Sequence, residues 1–99
     1  MSVKKDFLIY SLTECPYCFR AKSLLNDKNL KYVEFTIDLY NSFIEKDTLK
    51  KNISNMVNTE VKTFPIIFTT EMEFIGGYDD LEHYLHKLSL LELNDNGNK

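Results

Sequence analysis

The chain holds only two cysteines, and they stand together in Cys15-Pro16-Tyr17-Cys18. A two-residue spacer lets the sulfurs meet within one turn, so one can attack a substrate disulfide and the other can displace what it has captured. The attacking species is the thiolate. At the mouth of a helix, unpaired N–H groups and the positive end of the dipole favour it, and such settings bring cysteine pKa values to about 3.5–7.5 from about 8.5. Pro16 suits the first helical turn, where its missing N–H would have no partner. Two plainer readings compete. A zinc site completed by His83 and His86 is disfavoured: Cys18 lies far from His83, whereas a finger separates its pairs by roughly 12–15 residues, and the histidines are closer together than finger ligands. They read better as solvated positions of a surface helix. Two inert core cysteines are disfavoured because Cys15 falls outside the apolar face that Cys18 shares. No metal is expected.

The elements around this pair are legible from periodicity. Phe7-Leu8-Ile9-Tyr10-Ser11-Leu12 has the apolar run of a strand buried on both faces and leads into the cysteines. From Pro16 to about Asn29, Cys18, Ala21, Leu24 and Leu25 share one helical face. Lys31 to Asp38 reads as a second strand through Tyr32, Val33, Phe35 and Ile37. Ser42 and Glu45 have capping-box spacing, and Leu49, Ile53, Met56 and Val57 carry a second helix to about Asn58. Pro65 to Thr70 and Glu73 to Ile75 are short strands in tight antiparallel connection. Asp79, with Glu82 three residues on, is expected to cap a third helix with its stripe at Leu81, Tyr84, Leu85, Leu88 and Leu91.

The order βαβαββα implies an α/β fold: a four-stranded mixed sheet, parallel where helices cross over and antiparallel in the last two strands, flanked by helices on both faces. Pro16, Pro65, Gly76 and Gly77 all fall at element junctions, and three of these turns are expected to converge at one end of the sheet.

A length of 99 residues is one domain, expected over residues 1–93 with a polar tail at 94–99. Average apolar and charged content argues against a disordered or membrane-spanning class. A net charge of -3 offers no field for phosphate backbones or anionic lipid, so neither nucleic acid nor membrane is an expected partner. The apolar run behind the N-terminus is too short for a secretory leader, and two closely spaced cysteines are not a secreted scaffold; a cytoplasmic monomer is expected.

Cys15-Pro16-Tyr17-Cys18 followed by Ala21-Lys22 and Leu24-Leu25, then Thr63-Phe64-Pro65 before a strand, then Ile75-Gly76-Gly77-Tyr78-Asp79-Asp80-Leu81 before a helix together resemble a dithiol glutaredoxin over about residues 6 to 91. The resemblance implies a thioredoxin-like fold, glutathione as reductant and co-substrate, and disulfide-containing or glutathionylated proteins as partners. Cys15 then matches the nucleophile and Cys18 the resolving thiol. Tyr17 would wall the groove and Pro65 would be cis. The backbone of Phe64 would pair with the cysteinyl residue of glutathione, as an added strand pairs with an edge. Thr63 would line the groove; Gly77, Tyr78 and Asp79 would receive the γ-glutamyl end at a helix start.

The chain also departs from the family. Many members carry a lysine where Leu12 stands, and Glu14 adds an acid beside Cys15. A thiol less acidic than usual is expected, with Lys62 the nearest candidate for the glycyl carboxylate. Phe64, larger than the usual residue, is expected to narrow or cover the groove. Two rival functions remain open: a carrier holding a 2Fe–2S cluster between two chains through Cys15 and glutathione, and a thioredoxin-like donor served by a flavin reductase.

Overall fold

The computed structural model describes residues 6–38 and 46–97, with side chains through Leu91. Its elements are β1 (Phe7–Ser11), α1 (Pro16–Asp27), β2 (Tyr32–Thr36), α2 (Lys46–Val57), β3 (Ile66–Thr69), β4 (Phe74–Gly76) and α3 (Tyr78–Gly97). They form one four-stranded sheet in the order β2-β1-β3-β4. β1 runs parallel to β2, with Phe7 opposite Tyr32 and Ser11 opposite Thr36; β1–β3 and β3–β4 are antiparallel. Only the α1 crossover therefore gives a parallel neighbour, where both helical connections were expected to. After α2, residues 58–65 carry the chain back to the end of the sheet where β1 finishes, so β3 starts there and runs the other way.

Alternation along β1 assigns the two faces. Phe7 and Ile9 point to one side with Ile67, where Ala21 and Leu25 of α1 and Leu81 and Leu85 of α3 complete a cluster. Leu8 and Tyr10 point to the other, against Ile66, Phe68 and Ile53 of α2. Helices thus cover both faces. Each fully buried Leu, Ile or Phe in these layers contributes about 1.5–3 kcal/mol from burial.

The helix ends explain several boundaries. α1 stops at Asp27, short of Asn29, because Asn29 takes a left-handed conformation (φ 57°) while Leu30 N–H donates to Leu25 O at 2.9 Å. Asn58 (φ 59°) ends α2 alike, with Thr59 N–H reaching Ser54 O. Asparagine here does what glycine more often does at a helix C-terminus. The capping pair Ser42 and Glu45 lies outside the described residues. At α3, the expected Asp79 cap is replaced: the helix begins at Tyr78, and the Asp80 carboxylate accepts from Gly77 N–H at 3.0 Å. Gly77 is therefore the cap and Asp80 the acid three residues on. Gly76 ends β4 with φ 123°, and a Cβ there would collide with the Asp80 carboxylate. The α3 backbone stays helical through Gly97, into the residues expected as a tail.

Candidate active site

The end of β1 is held in place by polar contacts before the cysteines are reached. Ser11, fully buried, donates to Glu34 Oε2 at 2.6 Å, and Lys22 Nζ of α1 reaches the same oxygen at 2.9 Å. Burial pushes the Glu34 carboxyl up, but the bonds from Ser11 and Lys22 outweigh it and leave the group below its ordinary range. Two residues past Ser11, Thr13 gives Asp38 both its N–H (3.0 Å to Oδ1) and its hydroxyl (2.9 Å to Oδ2). The Thr13 hydroxyl is the main reason the Asp38 carboxyl lies low. Asp38 follows β2, and because β2 is parallel to β1, the ends of both strands meet at the same edge of the molecule. That topology is how a residue 25 positions from Thr13 comes to brace the cysteine loop.

Cys15 is the N-cap of α1 in extended backbone conformation (φ -141°, ψ 97°), with Pro16 following at the helix start. Cys15 and Cys18 are joined in a disulfide. Cys18 N–H donates to Cys15 Sγ at 3.2 Å, so the donor needed to stabilise a thiolate is already aimed at that sulfur. Cys15 is partly exposed, whereas Cys18 is 1% exposed.

Behind the pair, the Phe64–Pro65 peptide bond is cis, and Phe64 O lies 3.7 Å from Cys15 Sγ. The third turn closes in from α3: a Cβ on Gly77 would stand 3.7 Å from Pro65 O. The three junctions thus converge, as the placement of the prolines and glycines suggested. Between them opens a cleft of about 510 Å³ whose lining includes Tyr17, Lys62, Thr63, Phe64, Pro65, Gly77, Tyr78 and Asp79. Every residue that the resemblance assigned to glutathione therefore borders one cavity beside Cys15.

Phe64 is part of the wall of this groove. It is 9% exposed, packed inward in the α2-side cluster that contains Cys18, Ile37, Ile53, Ile66 and Phe68. Its side chain shares that apolar layer with the second sulfur. Tyr17 is 53% exposed, its ring 6.1 Å from that of Tyr78, with the Arg20 guanidinium 5.2 Å from its centroid. Desolvation first, then the Glu82 carboxylate, hold the Tyr78 hydroxyl above its ordinary range. Asp79 is exposed in the first turn of α3, where its charge complements the dipole. Sequence reasoning missed Asp38, Glu34, Arg20 and Asp80, and the cleft wall at Thr59, Glu60 and Val61. Asp38 had a usable signal: an acid directly after a strand parallel to the one that leads into the reactive loop.

The comparisons with known proteins agree with this geometry. The glutaredoxin family model matches residues 7–75. Glutaredoxin 1 of Rickettsia bellii is 43% identical over 75 residues, covering 75% of this chain and 70% of that protein. Glutaredoxin 1 from Francisella tularensis, solved with cacodylate, superposes with a TM-score of 0.72 at 27% identity over 85% of this chain and 95% of that one. A buckwheat glutaredoxin solved as a glutathione complex shares the fold, with a TM-score of 0.66 at 22% identity over 94% of this chain and 80% of that one. The chain belongs to the glutaredoxin family, with the thioredoxin-like architecture of those structures and the family's paired cysteines at Cys15 and Cys18. Its chemistry is accordingly thiol–disulfide exchange. Among the described residues, no helix is long and apolar enough to cross a membrane.

Proposed function

We propose that the protein is a glutathione-dependent reductase of glutathionylated thiols and protein disulfides, with Cys15 as nucleophile and Cys18 as resolving thiol. The observation that carries this reading is a cleft that joins Tyr17, Thr63, Phe64, Pro65, Gly77, Tyr78 and Asp79, one of whose lining residues, Phe64, has its carbonyl oxygen 3.7 Å from the sulfur of the partly exposed Cys15. In the reduced protein the Cys15 thiolate attacks the glutathione sulfur of a mixed disulfide. A Cys15–glutathione bond forms, the target leaves as a thiolate, and solvent protonates it. A second glutathione thiolate then attacks the glutathione sulfur on Cys15, forming oxidised glutathione and restoring the Cys15 thiolate. With a protein disulfide, Cys15 bonds to one target sulfur while the other leaves as a thiolate. Cys18 then gives up its proton to solvent and displaces the bound target sulfur by forming the internal disulfide, which two glutathione molecules reduce as they become oxidised glutathione.

The tripeptide is held in this reading by the Phe64 backbone at its cysteinyl residue, the first turn of α3 and Asp79 at its γ-glutamyl end, and Lys62 toward its glycyl end. Glutathione is kept reduced in the cytosol, which is where such a cycle turns over. Cys15→Ser should abolish removal of glutathione from a glutathionylated protein, and Cys18→Ser should largely spare it while blocking release from protein disulfides. Equal loss in both variants would refute the assigned roles, and turnover with a flavin reductase but not with glutathione would replace the reading with the thioredoxin-like one.

A further inference from the structure

The cleft beside Cys15 is unevenly charged. Among the described residues its lining carries Glu60, Asp79 and Asp80 against Lys62, with the Arg20 guanidinium set over the ring of the lining residue Tyr17. Asp80 is held by Gly77 N–H, and Asp79 stands at the α3 end. On the 59–63 segment of the lining, Lys62 Nζ lies 3.6 Å from Glu60 Oε1, both side chains largely exposed at 72% and 75%. Lys50 of α2, outside the lining, is turned to Lys62 O at 3.1 Å and Asp47 Oδ1 at 3.4 Å. Leu12, ahead of the cysteine loop, packs into the apolar cluster and brings no charge.

An extended tripeptide is roughly 10 Å long. Lying in this cleft with its central sulfur at Cys15, it presents its two ends to these two parts of the lining. The γ-glutamyl end, with one ammonium and one carboxylate, meets Asp79 and the first-turn N–H groups, a matched set. The far end of glutathione is a carboxylate, and it meets a lysine already shared with a glutamate. An amide there removes the repulsion from Glu60 and leaves the Glu60–Lys62 pair intact. An ammonium there gives Glu60 a second partner.

We propose that the Glu60–Lys62 pair tunes this cleft toward γ-glutamyl-cysteinyl-glycine thiols whose C-terminal end is neutral or cationic, which it accepts at least as well as glutathione itself. The inference rests on the reading of the cleft as a glutathione site and names the substrate class within it. Glu60 is then a specificity-determining residue that acts on the glycyl end and leaves the sulfur chemistry unchanged.

The test uses the reduced full chain and three mixed disulfides with one neutral nitropyridine thiol: that of glutathione, of its glycinamide, and of its amide with a diamine that leaves one free ammonium. Cys15 Sγ takes up the glutathionyl sulfur, and the chromophore leaves as its thiolate. At low ionic strength the ammonium-bearing substrate should show a kcat/KM about three- to fivefold above glutathione, a range set by the modest strength of exposed ion pairs. The glycinamide should fall between them or match glutathione. Raising salt should compress the ratio, and Glu60→Gln should bring glutathione level with or ahead of the other two. A severalfold preference for the free carboxylate, or a ratio unmoved by Glu60→Gln and by salt, would overturn the proposal. Should all three substrates react no faster than the corresponding 2-mercaptoethanol mixed disulfide, the glutathione reading itself fails and takes this proposal with it.

Discussion

The two sulfurs sit one helical turn apart in opposite surroundings. Cys15 caps α1 at the end of a loop braced by polar bonds, Thr13 to Asp38 and Ser11 to Glu34, and its sulfur receives the Cys18 N–H. Cys18 sits beneath it in an apolar layer with Phe64, Ile53 and Phe68. A charged sulfur is supported in the first setting and opposed in the second, since burial in an apolar layer disfavours a thiolate. The difference teaches that spacing alone makes a redox pair, while the environment of each member assigns the attack to one and the resolution to the other.

The comparison can be broken hardest at Phe64. Phe64→Ala should destabilise the fold by about 3–5 kcal/mol, the usual cost of emptying a buried aromatic site, read as a fall in the urea midpoint. Phe64→Val, a milder opening, should hydrate Cys18. With Cys15→Ser as background, iodoacetamide should modify Cys18 faster, as the sulfur becomes accessible and more readily ionised. An unchanged rate in a folded variant would show that Phe64 does not seal the second sulfur.

A smaller effect is expected on the polar side. Asp38→Ala removes the carboxylate that accepts from the Thr13 N–H and hydroxyl and should raise the Cys15 pKa and lower turnover severalfold, seen in thiolate absorbance with Cys18→Ser as background. Because the Asp38 carboxyl is depressed in the folded chain, its bracing is present above the ordinary value of about 3.9 and is lost as pH falls through the folded value below it. The smallest change should come from Glu34→Gln. It weakens the bonds from Ser11 and Lys22, so the melting temperature should fall slightly near neutrality. The deficit should vanish in acid, as wild-type Glu34, depressed below about 4.3, takes up its proton. A deficit equal at pH 7 and pH 3 would mean that the charge of Glu34 is not what ties β2 to α1.

Much of the fold was legible because its signals are local. The apolar run from Phe7 to Leu12 and the helical spacing of Cys18, Ala21 and Leu25 depend on neighbours in the chain, and the structure places them as strand and helix. Boundaries shifted where a single residue's backbone decided them, as Asn29 and Asn58 did at the helix ends. The start of α3 moved because two adjacent acids compete for one cap, and only the position of Gly77 shows that Asp80 reaches it. The direction of β3 was misread for another reason: an α-helix between strands implies a crossover, but the return segment 58–65 reverses its outcome.

In the site, the residue types and their order carried the chemistry: a cysteine before a helix, a second one turn inside it, a proline and two glycines at later junctions. Those belong to the sequence by itself, because nucleophilicity, ring closure and helix capping act over a few bonds. Which groups stand around them belongs to the tertiary structure. Asp38 at Thr13, Phe64 in one layer with Cys18, and Glu60 and Lys62 lining one cleft with Asp79 are set by strand order and by the path of the 58–65 segment. Burial and charge act through space, so the contrast between the two sulfurs arises only once distant stretches of chain are packed together.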